Sequence, residues 1–354
     1  MEKVIIDLCY EYDKNTLKEL FNNAFKIIGF KPHTSKILLK PNLLNSKSPD
    51  KAVTTHPVFI QAIAEVLRDF SCHVYIGDSP GYESLQKVLK NTGIIKIIEE
   101  IGLKTVSFNK RVMKKYEGIS PYKRFVLGED PLNYDLIINM PKLKTHTMMG
   151  MTLGVKNTFG FIHSLDKARW HLRAGQDRLL FASILIDIHR IVNPSLTILD
   201  GILGMDGDGP SNGRVRNFGI VAISQNAFHL DEAIERFIGI DTSLPITTLA
   251  RKNGFIKSYE VIGRSTGYIK DFMMPETMAT DWNLPVPIKG ILKRAFIKKP
   301  KILKALCKQC NVCVNACPAG ALSPSPHSKP VFDYKKCIRC YCCQEMCPEG
   351  AIKV

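Results

Sequence analysis

Long hydrophobic runs are missing from this chain: no stretch approaches the roughly 20 apolar residues that cross a membrane. The opening MEKVIIDLCYEYDK carries Glu2 and Asp7 where a secretory leader needs an unbroken apolar segment, so the chain reads as cytoplasmic. Cysteine is scarce through the first 300 residues, where only Cys9 and Cys72 occur; this excludes a disulfide scaffold. Both lie in or beside strand-like runs and read as small buried hydrophobes. No GxGxxG follows the first strand-like run, and no GxxxxGK followed by Ser or Thr occurs, so dinucleotide and nucleotide binding through the usual loops is unsupported. Aromatic residues are only 8% of the chain and lysines are spread along it, so net charge alone argues for nucleic acid, and none is expected as a partner.

What is present is an ordinary globular composition of 354 residues, 45% hydrophobic, with a formal charge of +16. Short β-branched runs alternate with stretches of helical period: VIIDL, a helix from Thr16 to Ile28, KILLKPNLL, a helix from His56 to Phe70, HVYIGDSPG, and a helical stretch from Ser84 to Ile101. Strands KTVSF and YDLIINM, a helix around Arg178 to Ile191, strands SLTILDG and FGIVAIS, and a helix from Phe228 to Phe237 follow. The alternation predicts an α/β domain with a mostly parallel, Rossmann-like sheet over residues 1–284. Composition then shifts. Residues 285–306 hold seven basic residues (Lys289, Lys293, Arg294, Lys298, Lys299, Lys301, Lys304) and no acid, and 285–303 reads as a basic linker into a small α+β domain at 304–354.

That last domain contains an internal repeat. CKQCNVCVNACPAGAL from Cys307 is echoed by CIRCYCCQEMCPEGAI from Cys337, with four cysteines, Pro, Gly and Ala in register. Three thiolates at two-residue intervals on a tight loop reach three irons of one cube, and the fourth iron is met from elsewhere. Structural zinc asks for four ligands and not this doubled three-plus-one arrangement. Each run resembles the bacterial two-cluster ferredoxin domain, in which the fourth cysteine of a run serves the other cluster. The resemblance implies one 4Fe-4S cluster on Cys307, Cys310, Cys313 and Cys347, and a second on Cys337, Cys340, Cys343 and Cys317. Cys342 departs from the pattern as a spare thiol, a tuning neighbour or a substitute for Cys343. Two oxidised clusters of about −2 each bring the assembled protein nearer to about +12.

In open α/β sheets ligands sit beyond the carboxyl ends of strands. The segments expected there are KPNLL (40–44), GDSPG (77–81), PKLKTHTMMG (141–150), GVKNTFG (154–160) and DGILGMDGDGPSNG (200–213). In this order they resemble the domain of unknown function family 362, over most of residues 1–270. Members often carry a carboxy-terminal ferredoxin module, and the resemblance implies an iron-sulfur protein whose substrate is not established. From the residues themselves, Lys142, Lys144 and Lys156 with glycine-flanked amides suit an anion, with Lys40, Asn42, Asn157, Asp200, Asp206 and Asp208 as further binding candidates. His146 and Asp78 are the candidate proton donors. Asp78, His146, Asp200, Asp206 and Asp208 alternatively suit a divalent metal, and a flavin is a further open cofactor.

Two functions compete. One is an iron-sulfur oxidoreductase of a cell with little oxygen, passing electrons from a redox partner protein to a small anionic substrate held in the α/β domain. The other is a non-catalytic ferredoxin-like carrier, docking protein or sensor whose α/β domain binds a partner.

Overall fold

The computed structural model describes residues 1–33, 35–240, 244–263, 269–278, 298–325 and 328–354. Residues 285–297 of the expected linker, with Lys289, Lys293 and Arg294, lie outside the described residues.

The first half runs β1 (Glu2–Leu8), α1 (Lys14–Ile28), β2 (Lys36–Pro41), α2 (Pro57–Asp69), β3 (His73–Asp78), α3 (Leu85–Asn91), α4 (Ile94–Ile101), β4 (Lys104–Ser107), a small hairpin of β5 (Val112–Lys115) and β6 (Arg124–Leu127), and β7 (Leu136–Met140). It continues with β8 (Lys142–His146), β9 (Gly150–Thr152), α5 (Gly154–Asn157), α6 (Ser164–Ala174), α7 (Arg178–Val192), β10 (Leu196–Asp206), β11 (Arg214–Ser224), α8 (Ala227–Ile238), α9 (Pro245–Lys252) and β12 (Tyr259–Ile262). The sheet order is β12-β1-β11-β10-β7-β2-β3-β4, with β8 and β9 branching from β10. From β10 through β7, β2 and β3 to β4 every pairing is parallel, while β11 runs antiparallel to both β10 and β1. The sheet is therefore mostly parallel, as expected.

Both faces are covered, which is why the central strands read as continuous apolar runs rather than alternating ones. In β2, Ile37 and Leu39 pack with Phe21 of α1 and Phe59 and Ile63 of α2, while Leu38 faces the other layer with Phe181 and Leu185 of α7. Local signals set the helix ends: Asp13 accepts the Thr16 amide at 2.7 Å, and Gly29 closes α1 at φ 69. The stretch from Ser84 to Ile101 is two helices, not one. Gly93, at φ 78, breaks it.

The carboxy-terminal domain consists of β13 (Lys301–Ile302), α10 (Val312–Asn315), β14 (Leu322–Ser325), β15 (Ser328–Phe332), α11 (Cys342–Glu345) and β16 (Ile352–Lys353). Antiparallel β13–β16 and β14–β15 pairs frame a core of Cys313, Leu322, Cys343, Cys347, Ala351 and Ile352. Lys301 and Ile302, expected in the linker, thus pair within this domain.

Candidate functional site

The repeat folds as two equivalent loops, each leading into a one-turn helix. Gln309 and Asn311 in the first loop, and Arg339 and Tyr341 in the second, have φ between 54 and 61. Left-handed residues that alternate in this way turn successive backbone N–H groups inward, forming the concave nest that an anionic iron-sulfur cluster needs. One small cavity is lined by Cys307, Cys310, Cys313 and Cys347 among Ile302, Val312 and Ile352. A second is lined by Cys317, Cys337, Cys340 and Cys343 among Ala321, Phe332 and Ile338. The fourth cysteines accept matching bonds, Ala321 N–H to Cys317 Sγ at 3.2 Å and Ala351 N–H to Cys347 Sγ at 3.3 Å. Four soft thiols, apolar walls and inward amides fit an iron-sulfur cluster. Cys342 lines neither cavity, although its thiol is in hydrogen-bond contact with that of Cys340, and Cys9 and Cys72 are buried in the large domain.

A third cavity, of about 330 Å³, lies where the two domains meet. Its large-domain wall comes from the carboxyl ends of β2 and β3 and from β8, α5 and α6, contributing Lys40, Asn42, Asp78, Lys144, Lys156, Asn157, Lys167 and His171. Its opposite wall comes from the repeat: Asn315 and Ala316 after the first loop, and Cys342, Glu345 and Met346 after the second. Leu43, Leu44, Tyr82 and Phe159 add apolar surface.

Charge in this cavity is unbalanced. Four lysines line it against two carboxylates. Lys40 Nζ is 2.7 Å from Asp78 Oδ1 and donates to the Pro41 carbonyl at 2.8 Å; Asp78 Oδ2 accepts the Leu43 amide at 2.8 Å. The pair is wedged against Gly160, where a β-carbon would meet Asp78 Oδ1 at 2.1 Å and Lys40 Nζ at 2.5 Å. Lys144 donates to Asn42 Oδ1 at 2.9 Å and to the Val53 carbonyl at 2.6 Å. Burial pulls its ammonium down to about 7, against the attraction of Glu345. Lys167 is bonded to the Ser79 carbonyl and is brought down by burial to about 8. Lys156, buried and also depressed by burial, carries no hydrogen bond or ion pair among the described residues. For Glu345, burial pushes the carboxyl up, but the His146 contact and the Lys156 charge outweigh it and hold it well below the usual carboxylate range. His171, driven down to about 3 by burial, is a neutral wall residue whose Nδ1 has no partner among the described residues.

The remaining sequence candidates sit elsewhere. Lys142, expected to hold an anion, is instead locked to Asp200 Oδ2 at 2.8 Å and to the Tyr12 hydroxyl at 2.7 Å, and Asp200 also accepts from Tyr12 and from the His56 amide. Asp206 is held by Arg214 and Arg216. Asp208 does not line the cavity; its carbonyl accepts from Gln344 Nε2 at 3.3 Å. The divalent-metal set therefore does not assemble: Asp78, Asp200 and Asp206 each face a different cation, and no group of three or more His, Cys, Asp or Glu among the described residues is spaced for a single metal ion. His146 also stands behind the wall rather than in it. Its Nδ1 accepts the Met148 and Met149 amides at 3.1 and 3.2 Å, its Nε2 lies 3.5 Å from Glu345 Oε2, and burial lowers it to about 4. Residues 77–81 have the GxSxG form of a nucleophile elbow, but no histidine among the described residues bonds Ser79.

The two domains are pinned around this cavity by Gln344. It accepts the Thr147 hydroxyl at 2.7 Å, and its carbonyl accepts Asn212 Nδ2 at 3.3 Å, while Lys47 donates to Asn212 Oδ1 at 2.8 Å. Met346 lies directly over Gly81. The residues missed from the sequence are Lys167, His171, Glu345, Met346 and Gln344; Cys342 stands out there, but for the clusters and not for this cavity. The repeat held a partial signal for the last three: at Gln344, Glu345 and Met346 the first run has Val314, Asn315 and Ala316, and these are among the positions where the second run departs from the first.

Among known proteins, residues 37–236 match the family described as "Domain of unknown function (DUF362)", and residues 306–351 match a "4Fe-4S dicluster domain". The chain is 29% identical over 270 residues to the "Thylakoid-associated protein sll1697" of Synechocystis sp. (strain ATCC 27184 / PCC 6803 / Kazusa), covering 74% of this chain and 84% of that one. No helix among the described residues is long and apolar enough to cross a membrane.

Proposed function

We propose a function from the premise that this chain belongs to the DUF362 family and ends in a 4Fe-4S ferredoxin-type domain: it is an iron-sulfur electron-transfer protein with two clusters, delivering electrons to a small anionic ligand in the cavity between its domains. The observation that carries this reading is the shared wall. Cys342, Glu345 and Met346, interleaved with the cysteines of the second loop, line the same space as Lys156, which has no hydrogen bond or ion pair among the described residues.

The clusters, once bound, supply one-electron chemistry at low potential. The first is assigned to Cys307, Cys310, Cys313 and Cys347, and the second to Cys317, Cys337, Cys340 and Cys343. The chain's own residues supply the rest. Lys156, Lys144 and Lys167 attract and orient the anion, and Asn42, which accepts from Lys144 and donates to Asn157, holds Lys144 in place. The Lys40–Asp78 pair stiffens the floor. Leu43, Leu44 and Phe159 keep water from the buried side, which strengthens each charge contact. A carrier that merely docked would need no such pocket, which favours a bound ligand over the docking reading.

The test is retention of an anion. Protein purified without oxygen is denatured and its iron, sulfide and released small molecules measured. Wild type is expected to release an acidic compound that Lys156→Met does not retain, at equal iron and sulfide content. Equal retention by the variant would contradict the assignment.

A further inference from the structure

The two cysteine loops are related by the repeat but differ in their surroundings. In the second, Cys340 and Tyr341 are buried, Tyr341 packs in the core cluster that contains Phe181 and Leu185, and its hydroxyl donates to the Lys298 carbonyl at 3.0 Å. In the first, the equivalent positions are Cys310, which is exposed, and Asn311. Next to it stand Leu303 and Leu306, 38% and 46% exposed, and Lys304 and Lys308, both exposed and without an ion pair or hydrogen bond among the described residues. Residues 298–354 hold ten lysines and arginines against three carboxylate side chains, a surplus that two clusters of about −2 each do not cancel.

We propose that the Cys310 loop is the intake for electrons, docking a small acidic electron-carrier protein whose carboxylates meet Lys304 and Lys308 over the apolar contact of Leu303 and Leu306. This deepens the electron-transfer reading above and rests on it. One electron leaves the reduced carrier, which is oxidised by one electron, and passes to the cluster of the exposed loop, then to that of the buried loop beside the cavity. No bond or proton moves in this step. The asymmetry supports this direction: the first loop meets solvent through Cys310, while Cys340 and Tyr341 of the second are buried, Tyr341 within a core cluster of the large domain. Transfer needs close approach, and a basic rim steers an acidic protein to it. Two exposed leucines are too little apolar surface to lie in a lipid boundary, and residues 303–311 contain no aromatic ring on which a base could stack.

The test mixes oxidised, fully loaded full-length protein with a reduced acidic two-cluster ferredoxin by stopped flow, at low and high salt. The transfer rate is expected to fall at least tenfold with salt, and Lys304→Glu combined with Lys308→Glu is expected to lower it at least tenfold at low salt. Lys26→Glu, at an exposed lysine of α1, should leave it unchanged. All three proteins should reduce equally with a neutral photoreductant, which shows that the clusters are in place. Equal carrier rates in all three, or no salt dependence, would overturn the proposal. So would a double variant that loses binding to phosphatidylglycerol vesicles but keeps carrier transfer, since the face would then be a membrane surface. Failure of the cavity reading looks different: Lys156→Met still takes up electrons at the wild-type rate but retains the same anion as wild type.

Discussion

His146 sets its Nε2 3.5 Å from Glu345 Oε2, joining strand β8 of the large domain to the second cysteine run. The contact makes the ferredoxin-type module part of the cavity wall rather than an appendage on a tether. It also explains why Glu345 stays ionised although buried: neutral His146 presents its ring edge to the carboxylate, and Lys156 supplies the positive field.

Gly160 is expected to tolerate no side chain. A β-carbon there would push apart Lys40 and Asp78, both almost fully buried, leaving charges without a partner. Gly160→Ala should cost roughly 2–4 kcal/mol of stability by chemical denaturation, with much of the loss coming from the disrupted pair.

Gln344 should act as the clasp between domains. Gln344→Ala removes its bonds to Thr147 and to the Asp208 carbonyl, at a cost of about 1–2 kcal/mol. The Thr147 hydroxyl, whose one proton is then free, can donate to the Gly209 carbonyl 2.9 Å away, so the large domain should stay folded. Limited proteolysis should then release the carboxy-terminal module faster than in wild type.

Anion binding should weaken as pH rises above about 7, because Lys144 loses its proton near 7 and Lys167 near 8 in the empty cavity. A bound anion raises both values, so binding takes up protons, and affinity should fall by up to about tenfold per pH unit for each lysine that must be recharged. Titration calorimetry in buffers of different ionisation enthalpy measures the uptake. The stability of the empty protein moves the other way. Both lysines hold their protons to about 10.5 when unfolded, so from about 7 upward the unfolded state binds more protons and stability rises with pH.

Much of the fold was legible because its strands are buried on both faces and its helices carry explicit caps, as at Asp13 and Gly29. The break at Gly93 was missed because a lone glycine inside an apolar period does not show its left-handed φ. Residues 142–146 looked like a polar loop after β7, yet they form a fully buried strand, since Lys142 and Lys144 find Asp200 and Asn42 as partners. Such pairing joins residues 58 and 102 positions apart, and periodicity carries no information about it. The same holds for the cavity. Lys40, Asn42, Lys144, Lys156 and Asn157 were expected near one another and do line it, whereas Lys142, Asp200 and Asp206 were drawn off by Tyr12 and by Arg214 and Arg216.

The most direct test of the cluster assignment compares wild type with Cys342→Ser and Cys343→Ser, each purified without oxygen. Cys343 lines the second four-cysteine cavity, whereas Cys342 lines the ligand cavity. Iron and sulfide should come to about eight of each per chain in wild type and in Cys342→Ser, and to about four in Cys343→Ser. Four irons in wild type, or loss of iron from Cys342→Ser with retention in Cys343→Ser, would contradict the account.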